Sequence, residues 1–154
     1  MSERTIREAT LQDEAELLRM MRLLDEQESA LIKFDETALS AAFRQFLALP
    51  AFGGIWILCE GNQTVGYVVL TVGFSFEFRA HDAFIDELYI DAAYRRRGYG
   101  RRALAFAEER AREMGVNAMH LEVDHGNNPA LELYRRTGYK DHDRFLMTKW
   151  LNRE

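Results

Sequence analysis

A single cysteine, Cys59, in 154 residues excludes a disulfide framework and a cysteine-based zinc site, and it points to a reducing compartment. No apolar run approaches the ~20 residues that span a bilayer. The first residues, Met1 to Glu8, also lack the apolar stretch of a secretory signal. These absences predict a soluble, cytoplasmic protein with no membrane partner. The four histidines, His81, His120, His125 and His142, show no H-x-x-x-H or equivalent spacing, so no metal is expected. A formal net charge of -5 argues against a general nucleic-acid binder. Neither a G-x-G-x-x-G nor a G-x-x-x-x-G-K-[ST] segment occurs, which removes the Rossmann and Walker-A explanations for any phosphate site. Nothing repeats, and no low-complexity segment interrupts the chain.

What is present suits one compact unit. With 47% hydrophobic residues, 154 residues can bury a core without staples, and residues 1–154 read as one domain. Thr5 to Glu8 reads as a first strand, and Thr10 with Asp13 as a helix start. Leu17, Leu18, Met21 and Leu24 form a helical stripe through about Glu28. Leu39, Ala42, Phe43, Phe46 and Leu47 give a second helix that ends before Pro50. Strands come next at Ile55 to Glu60 and Thr64 to about Phe74, with Gly61-Asn62 as the turn between them. A further strand runs from Ala83 to Ile90. Then come a helix to Gly115, a strand over Asn117 to Val123, a short helix over Pro129 to Arg136, and closing strand material over Tyr139 to Trp150. This order predicts an α/β (α+β) fold with a mixed sheet flanked by helices.

The most informative segment lies between Tyr94 and Arg102, where Arg95, Arg96, Arg97, Arg101 and Arg102 surround Gly98, Tyr99 and Gly100. It follows an apolar strand and opens an amphipathic helix. Glycine lets the backbone turn tightly and approach a ligand, and the amides of a helix's first turn favour an anion. The bland alternative is a solvated basic patch on an ordinary turn. Arg95 to Gly100 match the R/Q-x-x-G-x-G/A signature, and Asn127 to Tyr134 followed by Gly138-Tyr139 match an N-x-x-A-x-x-L-Y…G-F/Y segment about thirty residues later. In both halves and in their order the chain resembles the GCN5-related N-acetyltransferases, with motifs similar to the diamine- and small-amine-type members.

The resemblance implies a mostly antiparallel sheet and acetyl-CoA as co-substrate. It implies that the loop Arg95, Arg96, Arg97, Gly98, Tyr99, Gly100 and Arg101 holds the pyrophosphate. The backbone of Leu88, Tyr89 and Ile90 would pair with the pantetheine arm, helped by Asn127 and Ala130, and Tyr134 would protonate the departing thiolate. Asn127 also reads as a polar turn residue before a helix, and Tyr134 as a core aromatic. Asp86 is the first candidate base, acting through a relayed water because aspartate is one methylene shorter than the glutamate usual there, and Glu87 is the second. Strand alternation predicts that they occupy opposite faces, with Asp86 sharing the face of Leu88 and Ile90; a structural carboxylate is the alternative for Asp86. The acids Asp25, Glu26, Glu28, Asp35, Glu36 and Glu77 predict a negative entrance, and Phe34, Phe76 and Phe78 are candidates for the substrate rim. The expected partner is a small amine, with no nucleic acid; a homodimer is compatible with this reading. A protein or peptide N-acetyltransferase and a non-catalytic acyl-CoA-binding module remain the alternatives.

Overall fold

The computed structural model describes residues 2–152. Five strands lie side by side in chain order: β1 (Arg4–Glu8), β2 (Gly53–Glu60), β3 (Gln63–Ser75), β4 (Ala80–Ile90) and β5 (Val116–His120). The first four are antiparallel to their neighbours. β5 runs parallel to β4, because helix α3 (Tyr99–Glu113) lies between them as a crossover. The other helices are α1 (Glu14–Gln27), α2 (Glu36–Leu47) and α4 (Asn128–Arg136). The expected mixed, mostly antiparallel sheet flanked by helices is therefore found.

β2 shows why the sheet is covered on both sides. Its run Ile55 to Cys59 is buried at every position, as a strand must be when both faces meet helices. Trp56 and Leu58 join one core with Val68, Leu70, Ala83 and Ile85 from the sheet and Ala103, Leu104, Ala107 and Ala111 from α3. The alanines keep that helix face small, so α3 lies close to the strands. Ile55, Ile57 and Cys59 join the other core with Tyr67, Val69 and Tyr89, covered by Leu17, Met20 and Leu24 of α1 and Phe43 of α2. Each large aliphatic side chain buried this way contributes about 1.5–3 kcal/mol.

Two terminal expectations change. The strand expected over 117–123 ends at His120, and residues 139–150 form no strand. Phe145, Leu146 and Met147 stand in a row and so present no period-two face to bury; Phe145 is 96% exposed. Arg144 instead pairs with Glu77, and Asp141 with Arg135, so side-chain ion pairs hold this segment. At the amino end, Thr10 and Asp13 do form a capping box, on a short 3-10 turn, Leu11–Asp13, that leads into α1. No helix is long and apolar enough to cross a membrane among the described residues.

Candidate active site

β4 departs from strict alternation at the position where the candidate bases lie. Val69 of β3 pairs with Glu87, and the next residue, Leu70, pairs with Ile85, so Asp86 is the extra residue of a β-bulge. Ile85 packs in the α3-side core, as do Leu88 and Ile90, whereas Tyr89 packs on the α1 side. Glu87 reaches Tyr67 on that same α1 side. The predicted arrangement of Asp86 and Glu87 on opposite faces is thus corrected. Asp86 is separated from Leu88 and Ile90, and its charge acts on both Glu87 and Tyr67.

Glu87 is the most perturbed carboxyl of this group. Desolvation raises it and the Tyr67 hydroxyl, which donates to its Oε1 at 2.7 Å, lowers it, while the charges of Asp86, Glu28 and Asp25 raise it further. The result is a carboxyl pushed up to about 7. Asp86 is also raised, by partial desolvation. Glu28, just past the end of α1, is raised by loss of water around it and by the negative charges of Asp124 and Asp25. The Asp124 carboxylate accepts from the Ser29 amide at 3.1 Å, which ties the end of α1 to the loop before α4. Glu28 acts electrostatically on Glu87, Tyr67 and Tyr134 alike.

Tyr134, on α4, is held above the ordinary phenol range by burial and by Glu28. Its ring meets Tyr139 edge-on at 6.0 Å. Among the described residues its hydroxyl makes no hydrogen bond. A cleft of about 890 Å³ runs along β5 and α4 and includes Tyr134 and Asp124, but not Asp86 or Glu87. The carboxylates lie outside that cleft, and Glu28 acts electrostatically both on Glu87 and on Tyr134, which lines it.

The arginine-glycine loop shows a division of labour. Arg95 donates from Nε to the Ile90 carbonyl at 2.9 Å and closes the end of β4. Arg97 pairs with Glu60 at 3.0 Å, and Glu60 also accepts from the Tyr99 hydroxyl. Tyr99 itself is buried in the α3-side core. Arg96 and Arg101 are exposed and have no ion-pair partner among the described residues. Gly98 caps α3 at φ 85, and a Cβ there would meet nothing within 4 Å. The positions after it, Tyr99, Gly100 and Arg101, are first-turn residues whose amides lack intrahelical acceptors. An open cradle, free amides and two spare guanidinium groups fit a pyrophosphate.

The neighbouring sheet edge is open as well. β5 pairs with β4 only from His81 to Phe84, so on that side Leu88, Tyr89 and Ile90 have no strand partner among the described residues. Asn127 is exposed, and its side-chain oxygen accepts from the Ala130 amide at 3.4 Å as the N-cap of α4. Its amide nitrogen is left over. Phe76, Glu77 and Phe78 lie between β3 and β4, nine residues or more from Glu87 along the strand, roughly 30 Å at strand rise, and Phe78 lines the same cleft as Tyr134. They do not reach the bases. Phe34 stacks under the Arg22 guanidinium at 4.3 Å.

A family model described as the acetyltransferase (GNAT) family matches residues 17–139. The chain belongs to this family. The pig thialysine N-epsilon-acetyltransferase is 31% identical over 147 residues, 88% of this chain and 84% of that protein. A shorter match to the Bacillus subtilis uncharacterized N-acetyltransferase YycN, 34% identical over 73 residues, covers 47% of each chain. Among solved structures, an integron cassette protein from a salt-marsh metagenome superposes with a TM-score of 0.82 at 30% identity, covering 97% of this chain and 91% of that one. The aminoglycoside N-acetyltransferase AAC(6')-Iy, solved in complex with CoA, has the same fold, with a TM-score of 0.82 at 12% identity over 97% and 96% of the two chains. This GNAT protein is an N-acetyltransferase, an enzyme that transfers an acetyl group to an amine.

Proposed function

We propose that the acceptor is the primary amine of a small cationic molecule, and that Glu87 takes its proton. The observation that carries this reading is the convergence of Asp25, Glu28, Asp86 and Glu87 around the end of β4, with no guanidinium paired to any of them among the described residues. A protonated amine entering there meets negative charge from two elements. A carboxyl near 7 is matched to proton removal at neutral pH. Asp86, one methylene shorter and outside the Tyr67 contact, adds charge and acts on the proton through water. Against a peptide acceptor stands the small scale of this constellation.

Acetyl-CoA supplies the acyl thioester. The chain's own residues supply the rest: the amides of Tyr99, Gly100 and Arg101 with Arg96 and Arg101 hold the pyrophosphate, and the open edge of Leu88, Tyr89 and Ile90 aligns the pantetheine arm beside Asn127 and Ala130. A main-chain amide of that edge polarises the carbonyl. Tyr134 holds a proton at Oη for the leaving sulfur, since its raised phenol stays protonated at neutral pH. The non-catalytic alternative needs none of the charge around Glu87.

An acceptor panel tests the reading by thiol release: thialysine, the substrate in the pig relative's name, spermidine, an aminoglycoside, and a peptide with a free N-terminus. Acetylation of the small diamines ahead of the peptide is expected. Peptide acetylation with inert diamines overturns it. Tyr134→Phe should lower kcat by roughly 10²-fold with acetyl-CoA affinity retained.

A further inference from the structure

Tyr67 stands apart in its strand. Around it Val65, Val68, Val69 and Leu70 are aliphatic, yet Tyr67 is fully buried, and it carries a hydroxyl into the α1-side core. A buried hydroxyl needs a partner. It has one: Oη donates to Glu87 Oε1 at 2.7 Å.

The register explains why that contact is so well defined. Tyr67 lies opposite Tyr89 in the β3–β4 ladder, and the two rings pack at 6.1 Å with a 31° tilt, which fixes the Tyr67 side chain. Glu87 is two residues before Tyr89 on the same face, within diagonal reach of a long aromatic side chain. The bulge at Asp86 lets Ile85 keep to the α3 face while Glu87 keeps to this one. Oε1 is therefore occupied, and Oε2 has no partner among the described residues. The other groups acting on Glu87 are Asp86 from β4 and Asp25 and Glu28 from the end of α1, all negative. Tyr67 is the one hydrogen-bond donor to it among the described residues.

We infer that Tyr67 is a positioning residue for Glu87: its hydroxyl, fixed within the sheet, holds the carboxylate in one orientation, favours its charged form and leaves Oε2 to accept the proton. This rests on the proposed role of Glu87. The step balances simply. An N–H bond of the substrate ammonium breaks, its electron pair stays on nitrogen, and an O–H bond forms at Oε2, from which the proton passes to solvent after turnover. Tyr67 keeps its own proton throughout, because burial and the adjacent negative charge push its phenol well up.

The test replaces Tyr67 by Phe, which keeps the ring and deletes only the donor. A hydrogen bond to a charged group is worth about 1.5–3 kcal/mol, and one pKa unit is a tenfold change in ionisation at fixed pH. In the Tyr67→Phe variant, kcat/KM at pH 6.5 should therefore fall by roughly tenfold or more, while at pH 9 it stays within about twofold. The acid limb of the profile moves up. In a Glu87→Gln background the same change should shift nothing, since coupled residues show it in a double-mutant cycle. A loss of equal size at every pH, or a shift that persists without Glu87, overturns the inference. Carbon NMR of carboxyl-labelled glutamate, with no amine or acetyl-CoA present, separates the two levels. The Glu87 resonance is identified by its disappearance in Glu87→Gln, and its titration midpoint should rise in Tyr67→Phe. An unmoved midpoint overturns the inference itself. A raised midpoint with an unmoved rate profile removes Glu87 from proton transfer, and so overturns the reading on which the inference rests.

Discussion

The two faces of β4 differ in the kind of residue they bury. Towards α3 the strand contributes Ala83, Ile85, Leu88 and Ile90 to a core that α3 closes with alanines, with no carboxyl in it. Towards α1 it presents Glu87 and Tyr89 beside Tyr67, with Asp25 and Glu28 close enough to be felt electrostatically. One face is built to hold a helix still, and that helix's first turn is the proposed anion cradle. The other accepts the cost of a desolvated carboxyl. The bulge at Asp86 divides them, since unbroken alternation from Ile85 through Asp86 would turn Glu87 towards α3. In a single strand, rigidity for the acyl donor and polarity for the acceptor are kept on opposite sides.

The sharpest way to break this comparison is on the α1 face. Glu87→Gln removes the proton acceptor and should lower kcat/KM at pH 7 by roughly 10²- to 10³-fold. The rate should recover in part at high pH, where the amine loses its proton unaided. Asp86→Asn, which keeps the bulge, should cost less than about tenfold. Steady-state rates from pH 6 to 10 check both, and equal losses would mean that the bulge does not separate their roles. Stability should move the other way. The folded-state carboxyl of Glu87 is raised to about 7 from 4.5, so the folded protein binds that proton more readily than the unfolded chain. The destabilisation is fully present above pH 7, fades as pH falls and vanishes below 4.5. Glu87→Gln should therefore be more stable than the parent at pH 8, on the order of 2 kcal/mol, and indistinguishable at pH 4.

A change at the α3 face should affect the donor alone and by less. Gly98→Val places a branched side chain at φ 85, where left-handed backbone costs about 1–2 kcal/mol. It also fills the space beside the free amides. Acetyl-CoA affinity by calorimetry should fall at least about tenfold, while kcat at saturating acetyl-CoA and the pH profile stay close to the parent. A moved pH profile would mean that the two faces are not independent.

The difference between the faces also decides how much can be read in the sequence. The α3 face obeys simple periods. Ala103, Leu104, Ala107 and Ala111 recur at helical spacing, and Gly98 and Gly100 sit between a strand and a helix, so the turn and the order of elements are legible. Arg95 and Arg97 are less so, since only the fold shows that they pair with the Ile90 carbonyl and with Glu60. The α1 face depends on a one-residue bulge that no period announces, and alternation counted through Asp86 gives the wrong face on one side of it. Tyr67 escapes sequence reasoning altogether. A lone tyrosine in an aliphatic strand is the available signal, but its partner lies twenty residues on and is chosen by register. Glu28 reads as one acid of an exposed run, and only the fold brings its charge to bear on both Glu87 and Tyr134. Residues 139–150 are apolar enough for a strand but lack its alternating pattern, and the pattern decides.

The smallest expected effect tests whether the charge of the α1 face steers the acceptor. At the end of α1, Asp25 is half-buried and Glu28 is exposed. Exposed charges act over about a Debye length, ~10 Å at 0.1 M salt. Raising ionic strength from about 0.02 to 0.3 M should lower kcat/KM for a cationic amine a few-fold, through its association rate. The double variant Asp25→Asn with Glu28→Gln should start lower and show a flatter salt dependence. Acetyl-CoA is attracted by Arg96 and Arg101 on the far side of the strand, so its own salt dependence should be the same in the parent and the double variant. If removing the two acids flattens both dependences, the field is a property of the whole molecule and the faces are not electrically distinct. If it flattens neither, Asp25 and Glu28 are solvated surface, and acceptor preference is set by contact with Glu87 alone.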